Sequence, residues 1–314
     1  MKRLAVWSLL VIAGVVLLPP LTGLLPAQSR WKQAAPQSGE RVAIGQDQFL
    51  HVLPCEGCST VLVHGLPGGI AQLQPLAEAL RGLGEPALVY DRAGWGLSSR
   101  RADTVPTLAS NAQDLIALLD ARQLRAVDLV GFSFGGGVAQ TVAMLAPGRV
   151  RSLVLVSSIA PRRQAQSRGL MERLVLNEGV MRWSLSSRAL ARGLMDDAFV
   201  SLFHPEPVPE SHVTAQLATM TQGQSIATWL VEGSVAEAGV APEGIRAPVL
   251  VLHGADDAIV PVDVGRELAS RIPRAQLVVL PATGHGMVLT HAAALARHIR
   301  DFHLRARGAS PATR

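Results

Sequence analysis

The residues best equipped for chemistry lie in Val127-Asp-Leu-Val-Gly131-Phe-Ser133-Phe-Gly135-Gly-Gly-Val138, where one serine has a glycine two residues away on either side. A serine hydroxyl attacks an electrophile only when a base takes its proton. The apolar run 127–130 reads as a buried strand, and 134–145 reads as a helix. Gly-x-Ser-x-Gly therefore sits at a strand-to-helix turn. Such a turn is sharp. It leaves the serine in a strained conformation at its tip, and side chains at Gly131 and Gly135 would meet neighbouring backbone. The serine oxygen then stands over the helix N-terminus, where unpaired N–H groups favour an anion. Ser133 is the predicted nucleophile.

A nucleophilic serine needs an imidazole, and the imidazole needs a carboxylate to orient it. Of nine histidines, His204 and His212 lie in the segment between the two halves of the pattern, and His298 and His303 lie on the last helix. His285 stands apart in Pro281-Ala-Thr-Gly-His-Gly-Met287, a loop after the last strand, and is the predicted base. The strand ending at Val156 is followed by Ser157-Ser158-Ile-Ala-Pro161, which has no carboxylate. The strand 249–252 is followed by His253-Gly-Ala-Asp256-Asp257-Ala-Ile-Val-Pro261, which has two. One of them orients the base, and the other is a turn or capping residue. The negative charge that develops on an attacked carbonyl needs two backbone N–H donors. Phe134, directly after the serine, supplies one. Leu66, in the glycine-rich loop His64-Gly65-Leu66-Pro67-Gly68-Gly69, supplies the other. The His64 side chain is read as structural.

These groups need a scaffold that brings strand ends together. Short buried strands at 60–63, 87–90, 127–130, 153–156, 249–252 and 276–280 alternate with helical patterns such as Leu73, Leu76, Leu80 and Leu108, Ala112, Leu115, Leu119. Strands alternating with helices imply an α/β fold with a mostly parallel sheet covered on both faces. Two further β patterns, 41–44 and 48–53, precede it. Between 162 and 246 no buried strand is legible, so a mainly helical lid of about 85 residues interrupts the core, which comprises 30–161 and 247–306. The lid carries Met171, Leu174, Met181, Trp183, Phe199, Phe203, Met220 and Trp229. Most of these should hold the lid's own core, and Met171, Trp183, Phe203 and Trp229 are assigned to the substrate pocket. Residues 307–314 read as a flexible tail.

Five ordered motifs resemble the α/β-hydrolase superfamily, specifically its lid-bearing branch with a serine nucleophile. His64-Gly65 resembles its oxyanion loop, and Tyr90-Asp91-Arg92-Ala-Gly94-Trp-Gly96-Leu-Ser98 its Asp-Arg-x-Gly-x-Gly-x-Ser loop. Gly131–Gly135 resembles the nucleophile elbow, 254–261 the acid turn, and Gly284-His285 the histidine loop. The likeness spans about residues 40–306 and implies that Asp257 rather than Asp256 is the acid. It also implies an esterase-like activity, and the apolar lid residues point to an uncharged, mainly apolar acyl compound as its substrate. Relatives that open epoxides or cleave carbon–halogen bonds carry aspartate where Ser133 stands, and the lid here has no tyrosine. Carbon–carbon bond hydrolysis, a perhydrolase-like reaction and a non-catalytic binding role are the alternatives, since one fold hosts many chemistries.

Composition narrows the field further. The formal charge is +5, mostly from arginines scattered along the chain rather than gathered in a stripe, which argues against a nucleic-acid partner. No pattern calls for a metal or an organic cofactor. Lys2 and Arg3 precede an uncharged run from Leu4 to Leu18, with Pro19-Pro20 beyond it and Ala27-Gln28-Ser29 as a small-residue cleavage site. Residues 1–29 are thus expected to be a signal peptide or an N-terminal membrane anchor, and the chain to be exported. Cys55 and Cys58, the two cysteines of the chain, then form a disulfide rather than a metal or redox site.

Overall fold

The computed structural model describes residues 38–160, 178–185, 188–232 and 241–308. The leader expected over 1–29 and Met171 lie outside them. Among the described residues no helix is long and apolar enough to cross a membrane.

The chain opens with an antiparallel hairpin, β1 (Glu40–Gly45) and β2 (Gln48–Val52). Next come β3 (Thr60–Val63), α1 (Ile70–Gly82), β4 (Ala87–Val89), α2 (Leu108–Ala121), β5 (Val127–Phe132), α3 (Phe134–Leu145) and β6 (Val150–Val156). Four helices then intervene: α4 (Glu178–Ser184), α5 (Arg188–Phe203), α6 (Glu210–Met220) and α7 (Ser225–Glu232). The α/β pattern resumes with β7 (Val249–Gly254), α8 (Val262–Arg271), β8 (Ala275–Leu280), the short α9 (Met287–Thr290) and α10 (Ala292–Gly308). Strands β3 to β8 form one parallel sheet in the order β4-β3-β5-β6-β7-β8. A bridge between Val52 and Tyr90 ties the hairpin to its β4 side.

Period-two alternation sorts the strand residues between two cores. Val61, Leu129, Leu153 and Val251 join the cluster under α2, α3 and α8, while Leu62, Val130, Val154 and Leu250 join the one under α1 and α10. Both faces are covered, which is why β3 and β5 are apolar nearly throughout. The exception, Asp128 on β5, is a buried carboxylate. Ser152 Oγ and Arg151 Nη2 each donate to it at 2.8 Å, and Arg307 Nη2 of α10 donates to it at 2.9 Å. Arg307 also forks onto Glu85 at 2.9 and 2.7 Å. The half-buried Arg307 thus ties the last turn of α10, which ends at Gly308, to the sheet. Cys55 and Cys58 are bridged in the turn before β3, with Cα atoms 5.9 Å apart.

The chain order reverses between β3 and β5. Strand β4 lies on one side of β3, and β5 returns to the other. In open α/β sheets the crevice beyond the strand ends at such a switch point is where ligands bind. Helices α4 to α7 have a separate apolar core built around Met181, Phe199, Val213, Leu217 and Ile226.

Candidate active site

Strand β5 ends at the switch point, and the next residue is Ser133. Its backbone has φ 53° and ψ −120°, a conformation L-residues rarely adopt. Such strain is worth about 1–3 kcal/mol and persists only where the surroundings over-determine it. Here the Ser133 N–H donates to Val156 O at 3.0 Å, and the Ser133 carbonyl accepts from Gly136 N at 2.9 Å. The glycines make the turn possible. A Cβ on Gly131 would lie 2.5 Å from Gly135 O, and one on Gly135 would strike the carbonyl oxygen of Val63.

The loop after β8 carries His285 back over the strand ends, where its ring lies 5.0 Å from that of Phe132. His285 Nδ1 is 2.8 Å from Asp257 Oδ2. The other oxygen of Asp257 accepts from Ile259 N at 3.0 Å and Val260 N at 2.8 Å, so the turn after β7 fixes the carboxylate before any imidazole meets it. His253 Nε2 lies 3.4 Å from the Oδ2 and 2.8 Å from Val260 O. Burial alone would raise the pKa of Asp257. The hydrogen bonds from His253 and His285 and the charge of His285 outweigh it and hold the group well below the usual carboxylate range. Asp256 is exposed, and its backbone N–H donates to Thr283 O at 3.0 Å, so it is a turn residue beside the histidine loop.

Ser133 and His285 both line a cavity of about 120 Å³. Leu66, Pro67, Gln72 and Phe132 form its core side, with Ile259 at the acid turn. The helical insertion supplies Met195, Ala198, Phe199 and Leu202 from α5 and Gln216 from α6. The α5 residues follow the i, i+3, i+4, i+7 spacing of one helix face. Phe203 and Trp229, assigned to the pocket from sequence, are not among these lining residues. Phe203 is one step further round α5, and there its ring packs against Gly286 and His212. It thus supports the histidine loop, whose Gly286 N–H donates to Leu202 O at 2.8 Å. Trp229 packs on the insertion's own core. Trp183 falls in α4, but its side chain lies outside what is described. A separate groove of about 330 Å³ between α1 and α6, lined by Gln74, Glu78 and His212, does not include the serine.

The loop bearing Leu66 is braced from behind. Gln72 Oε1 accepts from Gly65 N at 2.8 Å. The Gly65 carbonyl takes two more contacts, His64 Nδ1 at 2.9 Å and Arg92 Nη2 at 3.1 Å. The backbone N–H of Arg92 donates to His64 Nε2 at 2.9 Å, so that nitrogen is bare and the proton sits on Nδ1. Burial, with the Arg92 charge, holds His64 well below the usual imidazole range, hence neutral. Arg92 is itself buried and paired with Glu232 at the end of α7, at 2.6 and 3.1 Å. Asn111 Nδ2 and Trp95 Nε1 complete the Glu232 carboxylate, each at 3.0 Å. Glu232 and Asn111 were not singled out from sequence.

A hydroxyl, an imidazole and a carboxylate in this arrangement can pass a proton from the first to the second while the third steadies the charge. Among the described residues, no group of three or more histidine, cysteine, aspartate or glutamate side chains could hold a metal ion.

Comparison with known proteins agrees with the geometry. A 2-hydroxymuconate semialdehyde hydrolase of Pseudomonas sp. (strain CF600) is 31% identical over 281 residues, spanning 86% of this chain and 95% of the relative. A putative carbamate hydrolase RutD of Variovorax paradoxus (strain S110) is 28% identical over 258 residues, 79% of this chain and 92% of the relative. The crystal structure of a bromoperoxidase from Bacillus anthracis superposes with a TM-score of 0.70 at 23% identity, covering 85% of this chain and all of that one. The family described as alpha/beta hydrolase fold matches residues 61–292, and with the parallel sheet and the elbow at Ser133 in place, this chain belongs to it.

Proposed function

We propose that the chain is a serine hydrolase that cleaves a carboxylic ester, or a related acyl bond, of a mainly apolar small molecule through an acyl-enzyme. One observation carries the reading: Ser133 and His285 line a single apolar-walled cavity, and His285 is bonded on its far side to Asp257. With Nδ1 occupied by Asp257, Nε2 of His285 is the nitrogen left to serve the serine. Ser133 Oγ attacks the carbonyl carbon as His285 takes its proton. The oxyanion is received by the N–H groups of Leu66 and Phe134. Collapse expels the alcohol, which carries away the proton from His285. Water then attacks the acyl-enzyme with His285 again as base, and the acid leaves.

A carbon–carbon bond hydrolase is the second reading, favoured by the 31% identical relative. The substrate in that relative's name carries a carboxylate. The cavity wall here has no lysine or arginine among the described residues, and Arg92 behind it is already neutralised by Glu232. A buried carboxylate without a partner is strongly disfavoured, so the ester reading leads.

Graded p-nitrophenyl esters and 2-hydroxymuconate semialdehyde, assayed side by side with wild type and Ser133→Ala, test both. Ester turnover and fluorophosphonate labelling should both vanish in Ser133→Ala. Labelling at another residue, or ester turnover that survives the substitution, would refute the mechanism. Turnover of the semialdehyde alone would favour the second reading.

A further inference from the structure

Resting on that reading, we infer that Arg92 and His64 are positioning residues that aim and strengthen one oxyanion donor, and that Glu232 of the helical insertion holds Arg92 to this task. The argument starts from one peptide group. The carbonyl of Gly65 and the N–H of Leu66 belong to the same trans peptide, so they point in opposite directions. The carbonyl end is held by His64 Nδ1–H and Arg92 Nη2–H. The N–H end belongs to Leu66, which lines the cavity with Ser133. The loop is pressed close to the elbow, since a Cβ on Gly65 would lie 3.1 Å from the Ser133 Cβ.

Two consequences follow. Rotating this peptide away from the reacting carbonyl would break two buried hydrogen bonds, so the donor's direction is fixed before substrate arrives. A cation bonded to the carbonyl oxygen also draws electron density out of the peptide, which makes its N–H a stronger donor. The same guanidinium also packs on the residue that bears the second proposed donor, its carbon 4.7 Å from the centre of the Phe134 ring.

Arg92 is buried and must be compensated. Its compensation comes from the insertion. Glu232 takes both ends of the guanidinium, 140 residues along the chain, and is itself held by Asn111 and Trp95. Hence the insertion does more than wall the cavity. Its last described helix also sets the electrostatics behind the oxyanion site.

The test uses R92M/E232M, which removes both charges while keeping apolar volume, an exchange that buried pairs often tolerate, together with R92K, which keeps a cation beside Glu232 but loses the fork. Active sites are first counted with a fluorophosphonate, so that rates refer to competent enzyme. We expect R92M/E232M to lose about 10- to 100-fold in kcat, less than the loss of a whole oxyanion donor, with KM within about threefold. R92K should fall between it and wild type. Affinity for a trifluoromethyl ketone should drop in step with kcat/KM, and the acyl-enzyme carbonyl stretch should move to higher frequency. A purely structural role would lower thermal stability or the active-site count while leaving kcat per site and the carbonyl stretch unchanged, and that result overturns the inference. Should the double variant not accumulate as folded protein, R92K decides alone: wild-type kcat and an unmoved stretch refute the proposal. Failure of wild type to label at Ser133 or to turn over esters would instead refute the underlying reading.

Discussion

The carboxylate and guanidinium networks around Ser133 and helix α6 of the insertion both bury polar groups, but on opposite terms. Asp257 accepts from two backbone N–H groups and His285, and Arg92 reaches His64, Gly65, Asn111 and Glu232. On α6, by contrast, both ring nitrogens of His212 and Nε2 of Gln216 are buried with no hydrogen-bond partner in the protein. The first region is organised before any ligand arrives, because buried polar networks are rigid only when satisfied. The second leaves polar capacity unspent on α6, with Gln216 at the cavity wall. Glu232 of α7 belongs to the satisfied network, so the division falls between α6 and the groups around Ser133 rather than between insertion and sheet.

The comparison can be broken hardest at the acid. Asp257→Asn should cost on the order of 10⁴ in turnover, the loss seen when the orienting carboxylate of such a triad is removed. Asp256→Asn should stay within about tenfold. The reverse ranking on a medium-chain ester would reassign the acid. On the other side, Phe199→Leu reshapes the cavity wall while keeping an apolar side chain in the insertion's core. It should change the ratio of kcat/KM for long over short acyl chains by about tenfold, the scale of a few methylenes in an apolar pocket. Equal loss on all chain lengths would show that the insertion carries machinery there rather than recognition.

The smallest effect is a pH signature of the poorly partnered side. Burial pushes His212 down to about 4, from 6.5. A histidine whose folded value lies below its unfolded one favours the native state fully above about pH 6.5, and that contribution is lost as pH falls toward 4. His212→Leu should therefore narrow the fall in melting temperature between pH 7 and pH 5, by an amount worth about 1–2 kcal/mol. An unchanged fall would mean that His212 finds a partner when protonated.

The same division explains what could be read from the sequence. Ser133, Asp257 and His285 each sit in a short run whose backbone demands are local: a glycine-flanked turn, a carboxylate capping its own loop, a loop after the last strand. Residue type and spacing single out Ser133 and His285, whereas only the family resemblance separates Asp257 from Asp256. Glu232 has no local signal. Its role exists only because folding delivers it to Arg92. The pocket wall was partly legible. The spacing of Met195, Phe199 and Leu202 marks one face of α5, but Phe203 lies four residues from Phe199 on the same side, and only the packing of its ring against Gly286 and His212 tells the two apart. Trp229 misled because a large apolar side chain serves a small core as readily as a binding wall. Asp128, a carboxylate within an apolar strand pattern, has its explanation only in Arg151 and Arg307.

That last pairing bears on how the chain is made. Asp128 lies on a central strand, yet Arg307 meets it across 179 positions and meets Glu85 across 222. A ribosome that has finished β3 to β6 has released a sheet whose buried carboxylate still lacks one of its cations, and whose α1 face still lacks α10. Domains of this size generally complete as units, and this one must wait until synthesis passes residue 307. Until then the apolar strand faces that α10 covers in the finished fold have no partner.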